Sequence, residues 1–402
     1  MARKLQADEW LFAATLGLAL FGVVMVYSAS ADLAFAENGT QYHYVKRQAV
    51  WTVAGLLAMM GVMHFDYGRL RDRRVVAGLL AGTVVLLLAV FLFPRINGAH
   101  RWIRLGGFSL QPSELSKLAL AIFLARFLER RAGEEHALWK TFAPCVLVTG
   151  LLVLLVAAEP DLGTAMMLGV VSFVLLFAAG ARLLYLGLLG GAGLVGIVFM
   201  IVLFPWRQGR VTAFLDPWAD AQGTGFQVVQ SLIAVGSGGT DGLGFAQGRQ
   251  KMLFLPFAHS DFIFAVVGEE LGLLGALTLV AVFGLFLWRG VRVARRAPDR
   301  FGMLLALGIV VGIVAQALFN ISVVLSLVPT KGIPLPFISY GGSSMMLTLL
   351  SVGVLLNISQ QGTAQGDAAS RGELAGKRVA APPTPRRERA PVTQTWRPAG
   401  RS

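Results

Sequence analysis

Apolar residues along this chain come in runs of about 20 separated by short polar stretches, the length a helix needs to cross roughly 30 Å of hydrocarbon at 1.5 Å per residue. Ten such runs are visible, near residues 11–31, 48–63, 75–93, 113–126, 142–158, 164–180, 184–204, 262–288, 302–327 and 338–358. The second and fourth are short, so their ends are soft. The pattern predicts an all-α integral membrane protein of about ten transmembrane helices, with one large extracytoplasmic loop, 205–261, between the seventh and eighth. Composition points the same way: 55% of the 402 residues are hydrophobic and 14% are charged, which excludes a water-soluble globule.

The first run follows "MARK" and ends in "YSASAD". Its apolar stretch exceeds the about 7–15 residues of a signal peptide, so it is read as a retained anchor. Lys and Arg set the orientation. With the N-terminus inside, the inner loops hold "RLRDRR", Arg126, Arg130, Arg131, Lys140, Arg182 and "RGVRVARRAPDR", and the longer outer loops hold fewer, which is the positive-inside bias. Residues 1–10 are then a cytoplasmic N-terminus, 11–360 a polytopic domain, and 361–402, rich in Ala, Pro, Gly and Arg, a disordered cytoplasmic tail. The net charge of +13 is spread over loops and tail, so no nucleic-acid partner is expected. The single cysteine, Cys145, lies in an apolar run, which excludes disulfides and cysteine-ligated metals.

Chemistry concentrates between the spans, in four segments that this topology puts on the outer side. "RINGAHRWIRLGGFSLQPSELSK" offers Arg101, Trp102 and Arg104 before a Gly-Gly turn. Trp102 is either an interfacial anchor or a site residue; Glu114 and Lys117 share a helical face as a structural ion pair or a functional one. "AAEPDLGTAMM" places Glu159 and Asp161 at a helix break, a tight turn or a cavity lining. The loop 205–261 brings Arg210, Arg249 and Lys251. Its "GSGGTDGLG" lacks the Lys and Ser/Thr of a P-loop, so nucleotide is not its ligand. "PTKGIPLPFISYGGSSMM", with Ser339 among its hydroxyls, carries three prolines; irregular backbone at that depth must be buried in protein or line a wet cavity. Together the segments suit an anionic lipid headgroup, with the tail left in the bilayer.

"FLPFAHSDFIFAVVGEELGLLGAL" sharpens the picture, because His259, Asp261, Glu269 and Glu270 sit where a charge costs roughly 2.5 to 3.5 kcal/mol. On a continuous helix Glu269 lies closer in azimuth to Asp261 than Glu270 does. It is therefore the carboxylate favoured to face the pocket, with a structural pairing as the other reading. His259 reads as a hydrogen-bonding loop residue.

"QGRQKMLFLPFAHSDFIFAVVGEELGLLG", "PTKGIPLPFISYGGSS", "NGAHRWIRLGGFSLQPSELSK" and "EPDLGTA", over about residues 10–360, resemble the SEDS family (shape, elongation, division and sporulation), and "PTKG" is more similar to its cell-division branch than to its elongation branch. The resemblance implies an inner-membrane glycosyltransferase at the division septum that polymerises lipid II, beside a class B penicillin-binding protein and other divisome membrane proteins. It also implies Asp261 as catalytic general base, matched by the family motif LPE-x-H-T-D-F at Leu255–Phe262. Phe257 and Ser260 depart from that motif, where the family usually has Glu and Thr. No organic cofactor is expected. The departing diphosphate needs cations: Arg101, Lys117, Arg210, Arg249 and Lys251, or a divalent metal such as Mg²⁺ or Mn²⁺ with ligands left open. The rival readings are a lipid II flippase or proton-coupled transporter using Glu114, Glu159 and Glu269, and a noncatalytic division scaffold.

Overall fold

The computed structural model describes residues 7–96, 98–105, 108–252 and 254–379, with Leu105, Phe108 and 363–379 by their backbone alone. It forms twelve described helices: α1 Glu9–Asn38, α2 His43–Met63, α3 Arg73–Ala89, α4 Pro112–Arg130, α5 Ala143–Ala158, α6 Leu162–Ala179, α7 Leu183–Leu203, α8 Pro205–Leu215, α9 Phe226–Ser237, α10 Ile263–Arg295, α11 Arg300–Val324 and α12 Gly342–Val379. Eight segments are long and apolar enough to cross a membrane. The other two expected spans are α2 and α4, of 21 and 19 residues. They are the runs that look short in the sequence, because Lys46 and Arg47 in α2 and Glu114, Lys117 and Arg126 in α4 lower their hydropathy. The protein is therefore a multi-pass membrane protein. Residues 1–363 are one compact unit and 364–402 another. Of the tail expected to be disordered, 361–379 continue the backbone of α12 and 380–402 lie outside the described residues, as do residues 1–6 of the expected N-terminus.

Local signals start and stop the helices where the chain turns. Asp8, Asp161 and Asp299 cap α1, α6 and α11 by accepting from Leu11 N (3.0 Å), Thr164 N (3.2 Å) and Gly302 N (2.7 Å). Gly39 and Gly180, both left-handed, end α1 and α6. Alternation of ten spans gathers the connections 39–42, 93–111, 159–161, 204–262 and 325–341 at one end. The opposite end holds the basic connections and their ion pairs, Arg289–Asp8 at 2.6 Å, Arg300–Glu135 at 2.8 Å and Arg71–Glu129 at 2.9 Å. Of the eight apolar segments, α11 and the Gly342–Gly362 part of α12 are the most enclosed and α7 the least. One addition to the all-α expectation is a hairpin, β1 Ile103–Leu105 and β2 Phe108–Leu110, antiparallel with Arg104 opposite Ser109.

The long connection is ordered by its clasp on α10. That helix breaks at Gly272 (φ 65°, ψ −164°), and the Gly-rich turn seats in the break: Leu243 N and Gly244 N donate to Glu269 O and Glu270 O, and Leu273 N donates to Gly239 O. A Cβ on Gly272 would meet Gly242 N at 2.4 Å; only glycine allows the approach. "GSGGTDGLG" is thus a packing device. The two glutamates finish the clasp. Glu269 Oε1 accepts from Arg249 N (2.7 Å) and Gln250 N (3.1 Å). Glu270 accepts from Lys251 Nζ (2.7 Å), Ser28 Oγ (2.7 Å) and Ala246 N (3.1 Å).

Candidate active site

The last, irregular part of the long connection delivers Asp261 two residues ahead of α10, and three neighbouring groups fix its backbone. Three successive carbonyls are each engaged: His259 O accepts from Tyr340 N (2.9 Å), Ser260 O from Ser339 Oγ (2.5 Å) and Asp261 O from Asn320 Nδ2 (2.8 Å). Asn320 also donates to Ile333 O at 2.7 Å, so one buried amide ties α11 to both the Asp261 segment and the irregular stretch before α12. That stretch satisfies itself through Ser339 Oγ, which accepts from Leu335 N (2.7 Å), and through Gln316, which donates to Pro334 O (2.8 Å). Its Leu335–Ser339 part is buried in protein, while Thr330–Gly332 and Tyr340 line the cavity. Asn320→Ala is expected to lower kcat about 10- to 100-fold with KM nearly unchanged, since misplacement of a reacting group by 1 Å has that scale of effect. A parallel rise in KM, read from steady-state kinetics, would instead mean that the substrate pocket had collapsed.

Asp261 opens into a cavity of about 1110 Å³ lined by four of the gathered connections, 93–111, 159–161, 204–262 and 325–341, and by the facing ends of α1 and α2. Arg47, Arg101, Arg104, Arg210 and Lys331 line it against Glu37, Asp161 and Asp261, an excess of positive charge. Trp102 and Trp206 add aromatic walls. Arg101 is held by the carbonyls of Glu159 and Pro160. Asp161 is satisfied by Thr164 Oγ1 (2.8 Å) and Gln111 Nε2 (3.2 Å). Enclosure by protein pushes the Asp261 carboxyl up to about 6; Arg101 and Arg210 oppose that rise and Asp161 adds to it. The same desolvation, joined by the repulsion of Arg210, Arg207 and Arg101, brings Lys331 down to about 8. Behind the wall Glu159 is fully enclosed with neither oxygen hydrogen-bonded, and burial, then Asp161, raise it to about 9. Both effects favour its protonated form.

A carboxylate poised near neutrality, facing guanidinium groups at the rim of a membrane bundle, suits proton transfer beside an anionic group. The FtsW/RodA/SpoVE sequence profile, described as cell cycle protein, matches residues 9–364. The chain belongs to that family. Family relatives include a probable peptidoglycan glycosyltransferase FtsW of Geobacter metallireducens, 45% identical over 85% of this chain and 92% of its own. Another is the stage V sporulation protein E of Bacillus subtilis, 41% identical over 89% of this chain and 98% of its own. Among solved structures, a chain from work on structural coordination of polymerization and crosslinking by a peptidoglycan synthase complex aligns over 89% of this chain and 99% of its own, with TM-score 0.73 and 31% identity. The rod shape determining protein RodA of Thermus thermophilus aligns over 89% and 98%, with TM-score 0.65 and 28% identity.

Set on this family fold, the residues singled out from sequence separate into groups. Arg101, Trp102, Asp161, Arg210, His259 and Asp261 meet in the cavity. Glu159 and Ser339 lie behind it, the latter holding the Ser260 carbonyl. Glu114 and Lys117 pair at 2.9 Å deeper in the bundle, with Ser344 Oγ and Gln316 completing the cluster beside a cavity of about 40 Å³. Arg249, Lys251 and Glu269 do not line the large cavity. Arg249 is exposed, and its backbone N–H serves Glu269; Lys251 is buried on Glu270. The expectation that Glu269 faces the pocket fails because Asp261 precedes the helix rather than starting it, so the azimuth of one does not set the other.

Lys331, Arg47, Arg104, Tyr44 and Tyr340 are cavity residues that the sequence reading did not assign to the site. Lys331 lies in "PTKG", between prolines that dominate the local pattern. Phe257, in place of the family's Glu, lines the cavity with φ 56°, a left-handed conformation uncommon for a bulky residue. Among the described residues no three His, Cys, Asp or Glu side chains converge on one point. A divalent ion would have to take most of its ligands from substrate and water.

Proposed function

We propose that this chain is a peptidoglycan glycosyltransferase that polymerises lipid II, with Asp261 as general base. The observation that carries the reading is the Asp261 carboxylate, within the electrostatic reach of Arg101 and Arg210, in a cavity large enough for lipid headgroups. The 4-hydroxyl oxygen of the acceptor sugar attacks the anomeric carbon of the donor, the bond from that carbon to the diphosphate oxygen breaks with inversion, and the hydroxyl proton passes to Asp261. The polyprenyl diphosphate leaves as an anion, so no general acid is needed. Arg101, Arg210 and Lys331 offset its charge by charge-assisted hydrogen bonds.

In this proposal the cavity end faces outward and both termini face the cytoplasm of a bacterial inner membrane, in line with the basic residues at the opposite end. A septal location and a class B penicillin-binding protein as crosslinking partner follow from the FtsW relatives and from the synthase complex that the fold resembles. Of the carboxylates the transporter reading uses, Glu114 and Glu269 are engaged in fixed contacts and Glu159 alone has no hydrogen-bond partner, so no chain of carboxylates runs through the bundle.

The test is conversion of purified lipid II to glycan polymer by the protein in vesicles, run across pH. The base works deprotonated, so the rate is expected to rise with pH through about 6, where Asp261 loses its proton. It is expected to fall again above about 8, where Lys331 loses its charge. A bell between those limbs is the expected profile. Absence of polymer at every pH would dismiss the glycosyltransferase reading, and a flat profile would dismiss these two groups as its titrating pair.

A further inference from the structure

The cavity is chemically divided. The charged groups acting on Asp261 are Arg101, Asp161 and Arg210, and Lys331 belongs to the same neighbourhood. Another part of the lining is made of rings. Tyr44, His259 and Tyr340 form a triangle with centroids 4.9, 5.1 and 5.6 Å apart, brought from α2, the long connection and the stretch before α12. The charged group acting on His259 is Glu37, which accepts from the Tyr44 hydroxyl at 2.5 Å.

This triangle is more than packing between three segments. All three rings line the cavity and none is fully buried. Among the described residues, the His259 ring nitrogens and the Tyr340 hydroxyl make no hydrogen bond. Apolar ring faces beside uncommitted donors and acceptors fit a neutral pyranose, whose axial C–H face packs on rings while its equatorial hydroxyls seek polar partners. The charges beside the rings are Glu37 and Arg47, of opposite sign, so no net positive charge gathers here for an anion. The backbone that pins His259 and Tyr340 together also fixes Asp261 two residues on. A sugar seated on the rings is therefore registered against the base.

We propose that Tyr44, His259 and Tyr340 form the subsite for the acceptor sugar, the one whose hydroxyl is deprotonated, while the basic half holds the donor diphosphate. This rests on the glycosyltransferase reading above and adds the division of the cavity between two substrates. Tyr340 is a binding residue in it and takes no proton.

Lipid II serves as donor and acceptor at once, so the test separates the roles. One probe is a lipid II analogue with its 4-hydroxyl removed, able only to donate. The other has a carbon-linked diphosphonate that cannot leave, able only to accept. Single coupling of the two is followed in vesicles. Tyr340→Leu is expected to raise the KM for the acceptor probe about tenfold, the scale of an aromatic contact, and to leave the donor KM within about twofold. Tyr340→Phe keeps the ring and is expected to restore most of the acceptor affinity. An unchanged acceptor KM, or an equal rise in both, would overturn the subsite.

A second measurement needs no variant: an acceptor probe with a diazirine on its sugar should label wild-type protein at Tyr44 or Tyr340. Labelling at Arg101 or Lys331 instead would overturn the proposal. Failure of wild type to couple either the probes or lipid II would sink the underlying reading; coupling without the KM shift would sink only the subsite.

Discussion

Asp261→Asn is expected to abolish glycan polymer, lowering the rate by about 10² to 10⁴-fold, the usual contribution of a positioned base. The substitution is nearly isosteric and spares the backbone carbonyls that Tyr340, Ser339 and Asn320 hold. The amide cannot accept the proton as the new bond forms. Folding should be unaffected, because the side chain has no hydrogen bond or ion pair among the described residues for the fold to lose, and removal of an enclosed charge is favourable in itself. The measurement is polymer on a gel from vesicles carrying wild type or variant, with thermal unfolding in detergent as the control. Undiminished polymer from the variant would remove Asp261 as the base and leave the cavity with only electrostatic groups. A variant inactive and also unfolded would fail the control, and Asp261→Glu, which keeps a carboxylate on a longer stem, would then be compared for partial activity.

How far the sequence could be read depended on the range of the signal. The membrane spans are local signals, and the ten apolar runs correspond to ten helices; even the two soft ones proved soft for a local reason, the charges that α2 and α4 carry. Irregular backbone before α12 was equally legible, since prolines act on their own residues. Which carboxylate faces the cavity was not. Glu269 and Glu270 are turned to a loop that folds back from some 20 residues upstream, and helix azimuth carries no record of that return. The cations were half legible for the same reason. Arg101 and Arg210 stand in segments whose composition marks them, whereas Arg47 lies within a helix and Lys331 between prolines. Only the tertiary fold brings those four together. Lys251 shows the converse, a cation close in sequence to Asp261 that the fold commits elsewhere.

That commitment carries the largest expected effect on stability. Lys251 and Glu270 are 4% and 0% exposed, 2.7 Å apart, and Ser28 of α1 accepts from the amine at 2.9 Å while donating to the carboxylate. Removing one partner of such a pair leaves the other charge enclosed, at a cost of about 3–5 kcal/mol. Lys251→Met is therefore expected to lower the thermal midpoint sharply and to loosen the connection from α10. New protease cleavage should appear between residues 238 and 261. Polymerisation should fall with it, since Pro256–Phe262 at the end of this connection form a wall of the cavity. The paired change Lys251→Met with Glu270→Gln removes both charges and keeps an amide to meet Ser28 and the Ala246 N–H. It is expected to recover most of the lost stability, because the penalty belongs to the unpaired charge rather than to the missing attraction. A single variant as stable and protease-resistant as wild type would show that the glycine clasp alone holds the connection. A double variant no better than the single would place the cost in lost packing of the lysine stem. The Glu269 clasp, made to backbone N–H groups, should hold in either case, so cleavage is expected to cluster on the Lys251 side of Gln250.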